Sequence, residues 1–230
     1  MGLFFNMSSH HIVREKQEPA LIIANGEACS DELLGQLLEW SPFVVVLDGA
    51  LDRVLHRQIK IDVLFGDFDQ ENFNFEDLKT SQFPIEIIHA PDQEKTDLEK
   101  AIEFLIERDF PAANIVWATG KRADHTMANI AILPKYSTRI KLKIIDDHSC
   151  IFPILPLPNT FTKWYKKGTI LSLMPVSEAL GITTHNLKYP LNAETLKLGY
   201  RNGNSNEAQE DGQVQVSYQS GDVLIMECKD

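Results

Sequence analysis

From Ala20 onward, short apolar runs rich in β-branched residues fall at 21–24, 43–47, 63–65, 85–89 and 115–118. Amphipathic segments at 31–40, 97–108 and 125–136 lie between several of them. Apolar runs of this length predict strands buried on both faces, and a period of three to four residues predicts helices with one buried face. Their alternation predicts a mostly parallel sheet covered by helices. At 140–145, Ile140, Leu142 and Ile144 alternate with Lys141 and Lys143, which predicts a strand with one wet face near an edge of that sheet.

The pattern changes after residue 150. The stretch 152–158 carries Pro153, Pro156 and Pro158 and reads as a linker or crossover. Apolar runs at 169–174, 182–187, 214–218 and 223–227 follow, separated by Gly, Asn and Pro, with no helical period. Such spacing predicts a sandwich or barrel. The expected fold class is therefore α/β: a mostly parallel α/β sheet domain at 18–150, then an all-β sandwich domain at 151–230. The polar stretch 201–212 reads as a long loop, of the kind that is functional or mobile.

Composition narrows the function. With 43% hydrophobic and 24% charged residues the chain has enough apolar surface to build a core, which excludes a largely disordered protein. A net charge of −11 argues against duplex nucleic acid or an anionic membrane as partner, because both need clustered cations. A small anionic substrate held through a divalent metal fits that charge. Cys29, Cys150 and Cys228 are odd in number and widely spaced, so neither a disulfide framework nor a zinc site is expected, and a reducing cytoplasm suits them. No apolar run reaches the roughly 18 residues of a membrane span. Residues 1–5 are apolar but too short for a signal-peptide core, and Met7 offers an alternative start.

Neither a P-loop nor a G-x-G-x-x-G is present, so any nucleotide is held without a glycine cradle. Four strand-to-helix loops carry the candidate chemistry instead. Gly66-Asp67-Phe68-Asp69 ends a buried strand; if the backbone stays extended, both carboxylates face one side and invite a shared Mg²⁺. A solvated acidic turn, with Asp69 capping, is the plain alternative, and the D-x-D pair of a nucleotide-sugar transferase is a further one that leaves the 96–101 segment and the β-rich half unexplained. Thr96 and Glu99 form a capping-box pattern, which places Asp97 in a first helical turn. Asp97 there is either a third metal carboxylate or a complement to the helix dipole. Lys121 and Arg122 offer donors to phosphate, with Asp124 as helix N-cap and His125 in its first turn; a basic loop with a capping Asp is the plain alternative. Asp48-Gly49, with Asp52 and Arg53 behind it, is either a backbone that a ligand can approach or an ordinary turn.

Taken together, D-G-A-x-x-R at 48–53, G-D-F-D at 66–69, D-Q-x-x-T-D-x-x-K-A at 92–101 and G-x-R-x-D-H-x-x-A-N at 120–129 resemble the thiamine pyrophosphokinase family. The run Gly168 to Pro175, the run Leu187 to Leu191 and Ser205-Asn206-Glu207 are similar to its second domain. The resemblance spans about Ala20 to Met226. It implies a cytoplasmic homodimer that moves the β,γ-pyrophosphoryl group of ATP to the hydroxyl of thiamine, giving thiamine diphosphate and AMP with Mg²⁺ as cofactor. It implies that thiamine lies between the α/β domain of one subunit and the sandwich of the other. Carried over, Asp67, Asp69 and Asp97 hold Mg²⁺ on the phosphates and are the catalytic set. Asp48, Gly49, Gln93, Thr96, Lys100, Arg122 and Asp124 line the nucleotide and substrate crevice. Ser205 and Asn206 approach thiamine from the sandwich, and Asp69 or Asp97 accepts the hydroxyl proton. The chain departs from the family pattern at Leu47, Asp52, Glu94 and Lys121, the last standing where a glycine is common, and no tryptophan after Trp164 is available to stack on thiamine. A non-catalytic thiamine-binding relative is the remaining alternative.

Overall fold

The computed structural model describes residues 19–68 and 74–229. Six strands alternate with helices in the first part of the chain: β1 (Ala20–Ile23), α1 (Asp31–Leu38), β2 (Val44–Leu47), α2 (Leu51–His56), β3 (Val63–Gly66), α3 (Phe75–Ser81), β4 (Glu86–His89), α4 (Asp97–Glu107), β5 (Ala112–Val116), α5 (Ala123–Ala131), α6 (Leu133–Tyr136) and β6 (Lys141–Ile145). A single 3-10 turn, Asp48–Ala50, joins β2 to α2. Seven strands follow: β7 (Ser149–Pro153), β8 (Thr160–Tyr165), β9 (Ile170–His185), β10 (Glu194–Lys197), β11 (Gly203–Glu207), β12 (Gly212–Ser217) and β13 (Ser220–Cys228).

The first six strands are parallel in the order β4-β3-β2-β1-β5-β6. β1 pairs with β2 on one side and β5 on the other, so the strand order reverses there. Ligands of open parallel sheets settle outside the carboxyl ends of the strands at such a reversal. Two apolar layers cover the two faces. One packs Leu98, Ala101, Ile102 and Leu105 of α4 with Leu133 and Tyr136 of α6 against Ile22, Val45 and Ile115. The other packs Leu34 of α1 and Leu51 and Val54 of α2 against Leu21, Ile23, Val46 and Leu64.

β7 continues the sheet antiparallel to β6, and β13 and β9 follow in turn. Strand β9 is 16 residues long. It pairs with β13 between Ile170 and Leu180, with β11 between Ile170 and Leu173, with β10 between Glu178 and Ile182, and with β12, which pairs with β8, between Thr183 and His185. By running through both layers it closes a separate core of Leu171, Leu173, Ile182, Leu196, Val214, Val216 and Ile225. The α/β sheet followed by a β-sandwich is the expected fold class.

Several expectations need correction. β6 is not near an edge: it lies between β5 and β7, and its wet face survives because Lys141 and Lys143 alternate with buried Leu142 and Ile144. The proline-marked stretch begins inside β7, which ends at Pro153. The polar loop at 201–212 contains β11, paired with β9. The helix expected at 125–136 starts two residues earlier and divides into α5 and α6, with Pro134 in the first turn of the second.

Candidate functional site

A cavity of about 650 Å³ opens at the carboxyl ends of β1, β2, β3 and β5. Its walls include Asn25, Asp48, Asp67, Gln93, Thr96, Asp97, Lys100, Lys121 and Arg122. All four candidate loops therefore bring charged residues to one space, the loop after β2 through Asp48 beside Gly49.

β3 ends at Gly66, and Phe68 adopts a positive φ of 55°. The extended backbone expected over Asp67 and Asp69 is thus broken between them, so residue spacing no longer sets their common side. Asp69 lies outside the described residues. Asp67 accepts a hydrogen bond from Gln93 Nε2 at 3.1 Å, which ties the loop after β3 to the loop after β4.

Asp48 fixes the same corner from within. Its Oδ1 accepts from the Gly49 amide at 2.6 Å and its Oδ2 from the Phe68 amide at 3.0 Å. Burial pushes its carboxyl above the usual range, and the charges of Asp97 and Asp67 add to that, against the two amide donors. The Asp48 carboxyl thus feels both acidic neighbours. Gly49 is needed for a close approach, but of a side chain: a Cβ there would lie 2.2 Å from Asn25 Nδ2.

Thr96 caps α4, its hydroxyl accepting from the Glu99 amide at 3.2 Å, as the capping-box pattern predicts. The return half of the box is not made. The Glu99 carboxylate instead accepts from Lys135 at 2.5 Å and Tyr136 at 2.8 Å. Asp97 stands in the first turn and pairs with Lys100 at 2.7 Å. Lys100 is buried and also donates to the carbonyls of Ala90 at 2.6 Å and Asp92 at 3.0 Å. It therefore shapes the loop that carries Gln93 as well as holding Asp97.

Arg122, not Asp124, is the N-cap residue of α5; Asp124 sits in the first turn and accepts from the His125 amide at 2.9 Å. Asp124 also receives the Arg122 fork, from Nε at 3.1 Å and from Nη2 at 2.5 Å. That pairing, reinforced by the His125 amide, lowers its carboxyl to about 2. Arg122 lines the cavity; Asp124 lies behind it as its partner.

Ser205 and Asn206 are not brought to this cavity within one chain, since no wall residue lies beyond Asn129. Asn206 is buried, and its amide clamps Tyr189: Oδ1 accepts from the Tyr189 amide at 3.0 Å and Nδ2 donates to the Tyr189 carbonyl at 2.7 Å. Ser205 is exposed at a positive φ of 55°, its amide donating to Ser172 Oγ at 3.0 Å.

Some wall residues escaped the sequence reading. Asn25 and Gly26 follow the first apolar run as an Asn-Gly turn signal, which was the available clue. Asn129 is buried and donates to the Ala118 carbonyl at 2.8 Å, fixing α5 to the exit of β5. Asn129 closes the G-x-R-x-D-H-x-x-A-N run at 120–129, but no local pattern marks the contact itself, which spans 11 residues.

A parallel sheet with acidic and cationic loops around a cavity at its strand-order reversal puts the chain in the class of open-sheet α/β proteins that bind their ligands in that crevice. Residues 34–144 match the thiamin pyrophosphokinase catalytic domain, and residues 159–223 match the thiamin pyrophosphokinase vitamin B1 binding domain. The chain belongs to the thiamine pyrophosphokinase family. Among relatives, the thiamine pyrophosphokinase of Bacillus subtilis is 33% identical over 141 residues, covering 59% of this chain and 64% of its own length. The alignment therefore spans somewhat less than two thirds of that relative. The crystal structure of the Bacillus subtilis thiamine pyrophosphokinase superposes with a TM-score of 0.77 at 25% identity, over 93% of this chain and 100% of that one. The yeast thiamin pyrophosphokinase structure shares the fold with a TM-score of 0.80 at 17% identity, over 94% of this chain and 88% of that one.

Proposed function

We propose that the chain is a thiamine pyrophosphokinase that transfers the β,γ-pyrophosphoryl group of ATP to the hydroxyl of thiamine, releasing thiamine diphosphate and AMP. The observation that carries this reading is that Asp67 and Asp97 share one cavity with Arg122 and Lys100 at the strand-order reversal. The family matches support it over both halves of the chain. We place the functional division at 18–150 for nucleotide and metal, and 151–230 for thiamine. A homodimer working in the cytoplasm is part of the same proposal.

Among the described residues no three His, Cys, Asp or Glu side chains form a ready metal cage. Mg²⁺ needs none, because it usually takes one or two carboxylates and completes its shell with phosphate oxygens and water. The donors suit it: Asp67 and Asp97 offer hard carboxylate oxygens in one cavity, and their charges already act together on Asp48. In this proposal Asp67, Asp97 and Asp69 hold Mg²⁺, which supplies charge neutralisation for the polyphosphate. The protein's own residues do the positioning. Gln93 orients Asp67, Lys100 orients Asp97, Thr96 anchors the helix that carries it, and Asp48 with Gly49 fixes the loop after β3. Arg122 offers a planar fork to phosphate once it turns from Asp124. Ser205 and Asn206 shape the sandwich loop presented to thiamine.

The test is chromatography of products from ATP, Mg²⁺ and thiamine, for the wild type and Asp67→Asn. We expect thiamine-dependent AMP matched by thiamine diphosphate. Asp67→Asn should lose about 100-fold or more in kcat with the fold kept, the size of loss on removing one preorganised electrostatic group. ADP as product would refute pyrophosphoryl transfer, and wild-type turnover by the variant would refute the role of Asp67.

A further inference from the structure

The loops after β1 and β5 are laced together along one wall of the cavity. The Gly26 amide donates to the Trp117 carbonyl, and the Glu27 amide to the Thr119 carbonyl at 2.7 Å. At the end of this lacing, Gly120 has a φ of 74° and Lys121 a φ of 50°. A left-handed turn suits glycine, but lysine enters it against the clash of its Cβ. Strain of this kind persists where surrounding contacts over-determine it, and it clusters at binding sites.

The Lys121 side chain lines the cavity. Its hydrogen bond is a long one, 3.4 Å from Nζ to Asn25 Oδ1. Among the described residues it forms no ion pair within 4.0 Å. The same Asn25 oxygen already accepts from Arg53 Nη2 at 2.8 Å, while Arg53 Nη1 donates to the Gly26 carbonyl at 2.9 Å. The Arg53 guanidinium is further fixed over the Trp117 ring, 4.6 Å from its centre. Two cations thus converge on one neutral oxygen. Burial lowers the Lys121 ammonium from its ordinary value, and the Arg53 charge lowers it further, with only Glu27 acting the other way. A strained backbone therefore delivers a cation to a place where, among the described residues, no carboxylate pairs with it within 4.0 Å and Glu27 acts only from farther off, facing a cavity.

We propose that Lys121 is a phosphate-binding residue of this chain, held by Asn25 and Arg53 to grip an oxygen of the nucleotide polyphosphate, and that its left-handed backbone is retained for that contact. The inference rests on the ATP-dependent reading above. It adds a cationic anchor from the loop after β5 that is separate from the aspartates and from the Arg122 fork. An anion there would relieve the repulsion between the two cations and complete the hydrogen bonding of the ammonium.

Calorimetric titration of ATP and AMP, paired with thermal melts, separates charge from backbone. Lys121→Met removes the charge and keeps the left-handed non-glycine residue. Lys121→Gly removes both, and Lys121→Arg keeps the charge. We expect ATP affinity to fall about tenfold or more in the Met and Gly variants, the size of one charge-assisted hydrogen bond, and to stay within about threefold in the Arg variant. AMP affinity should change less. Lys121→Gly should melt about 2–4 °C higher than wild type, as relief of roughly one left-handed side chain implies for a chain of this size, whereas Lys121→Met should not. Equal ATP affinity in wild type and Lys121→Met would overturn the proposal. A lower melting point for Lys121→Gly would overturn the claim of retained strain. A wild type that binds no ATP at all would instead bring down the pyrophosphokinase reading itself, and this inference with it.

Discussion

Gly66 shows how one atom governs the acidic corner. It is the last residue of β3, paired with His89 of β4, and a Cβ on it would stand 2.2 Å from Asp48 Oδ2. No real contact is that short, so Gly66→Ala must drive the Asp48 carboxylate from its place. That carboxylate holds the Gly49 and Phe68 amides, and Phe68 follows Asp67 directly. The displacement therefore passes through the Phe68 hydrogen bond to the carboxylate proposed to hold the metal. A misplacement near 1 Å costs on the order of 100-fold in rate where positioning is the main source of catalysis. We predict that Gly66→Ala lowers kcat/KM by about 10- to 100-fold while the far-ultraviolet circular dichroism spectrum stays that of the wild type. Full activity would show that the loop after β3 tolerates movement and that Asp48 is not its anchor.

Helices α4 and α6 are joined by a buried polar network that no sequence pattern announced. Tyr136 donates toward Glu99 Oε1 at 2.8 Å and Glu103 Oε1 at 2.9 Å, and Lys135 and Lys95 neutralise the two carboxylates. Burial raises Glu99, but the Lys135 and Tyr136 hydrogen bonds outweigh it and its carboxyl ends below the ordinary value; Glu103 is lowered chiefly by Lys95. Carboxyls depressed in the folded state stabilise it above their unfolded value, near 4.3, and this contribution is lost as pH falls through the lower folded value. Tyr136→Phe should therefore cost about 1.5–3 kcal/mol at pH 7, as for a hydrogen bond to a charged group, and the difference should shrink as pH drops below about 4. Denaturant unfolding at the two pH values measures it, and a pH-independent difference would assign the loss to packing. At this scale the sequence was a good guide to elements with strong period: β1, β2, β3, α1 and α4 lie where their apolar spacing put them. It failed where long-range pairing overrides local signals. β11 reads as polar loop because its residues are Gly203-Asn204-Ser205-Asn206-Glu207, and β7 was hidden by the proline at its end. α2 and α3 are only six and seven residues long, too short for a clear helical period. In the site, the acidic and basic loops were legible because strand ends gather them, whereas Asn25, Asn129 and the true partners of Glu99 depend on contacts between distant segments.

The whole molecule poses a question of reach. Every wall residue of the cavity lies between Ala24 and Asn129, whereas Ser205 and Asn206 sit on β11 beside β9. Strand β9 is separated from β5 by the ladder β9-β13-β7-β6-β5, four steps or about 19 Å at about 4.8 Å each. If the sandwich loop contributes to the thiamine site, a second copy of the chain is the natural source of it. Exposed Tyr189 and Tyr200 beside that loop would favour such a contact, since aromatic side chains concentrate at interfaces. The proposed homodimer then makes a quantitative prediction. Light scattering should give twice the 26.1 kDa chain mass. Asp67→Asn spoils the cavity of its own subunit, and Ser205→Tyr spoils the loop given to its neighbour. When the two variants are co-expressed, each mixed dimer keeps one site built wholly from intact halves. Random pairing makes about half of the dimers mixed, so about a quarter of wild-type activity should return from two chains that are each inactive alone. No recovery would mean that cavity and loop belong to the same subunit. Full activity of Ser205→Tyr by itself would remove the loop from the site.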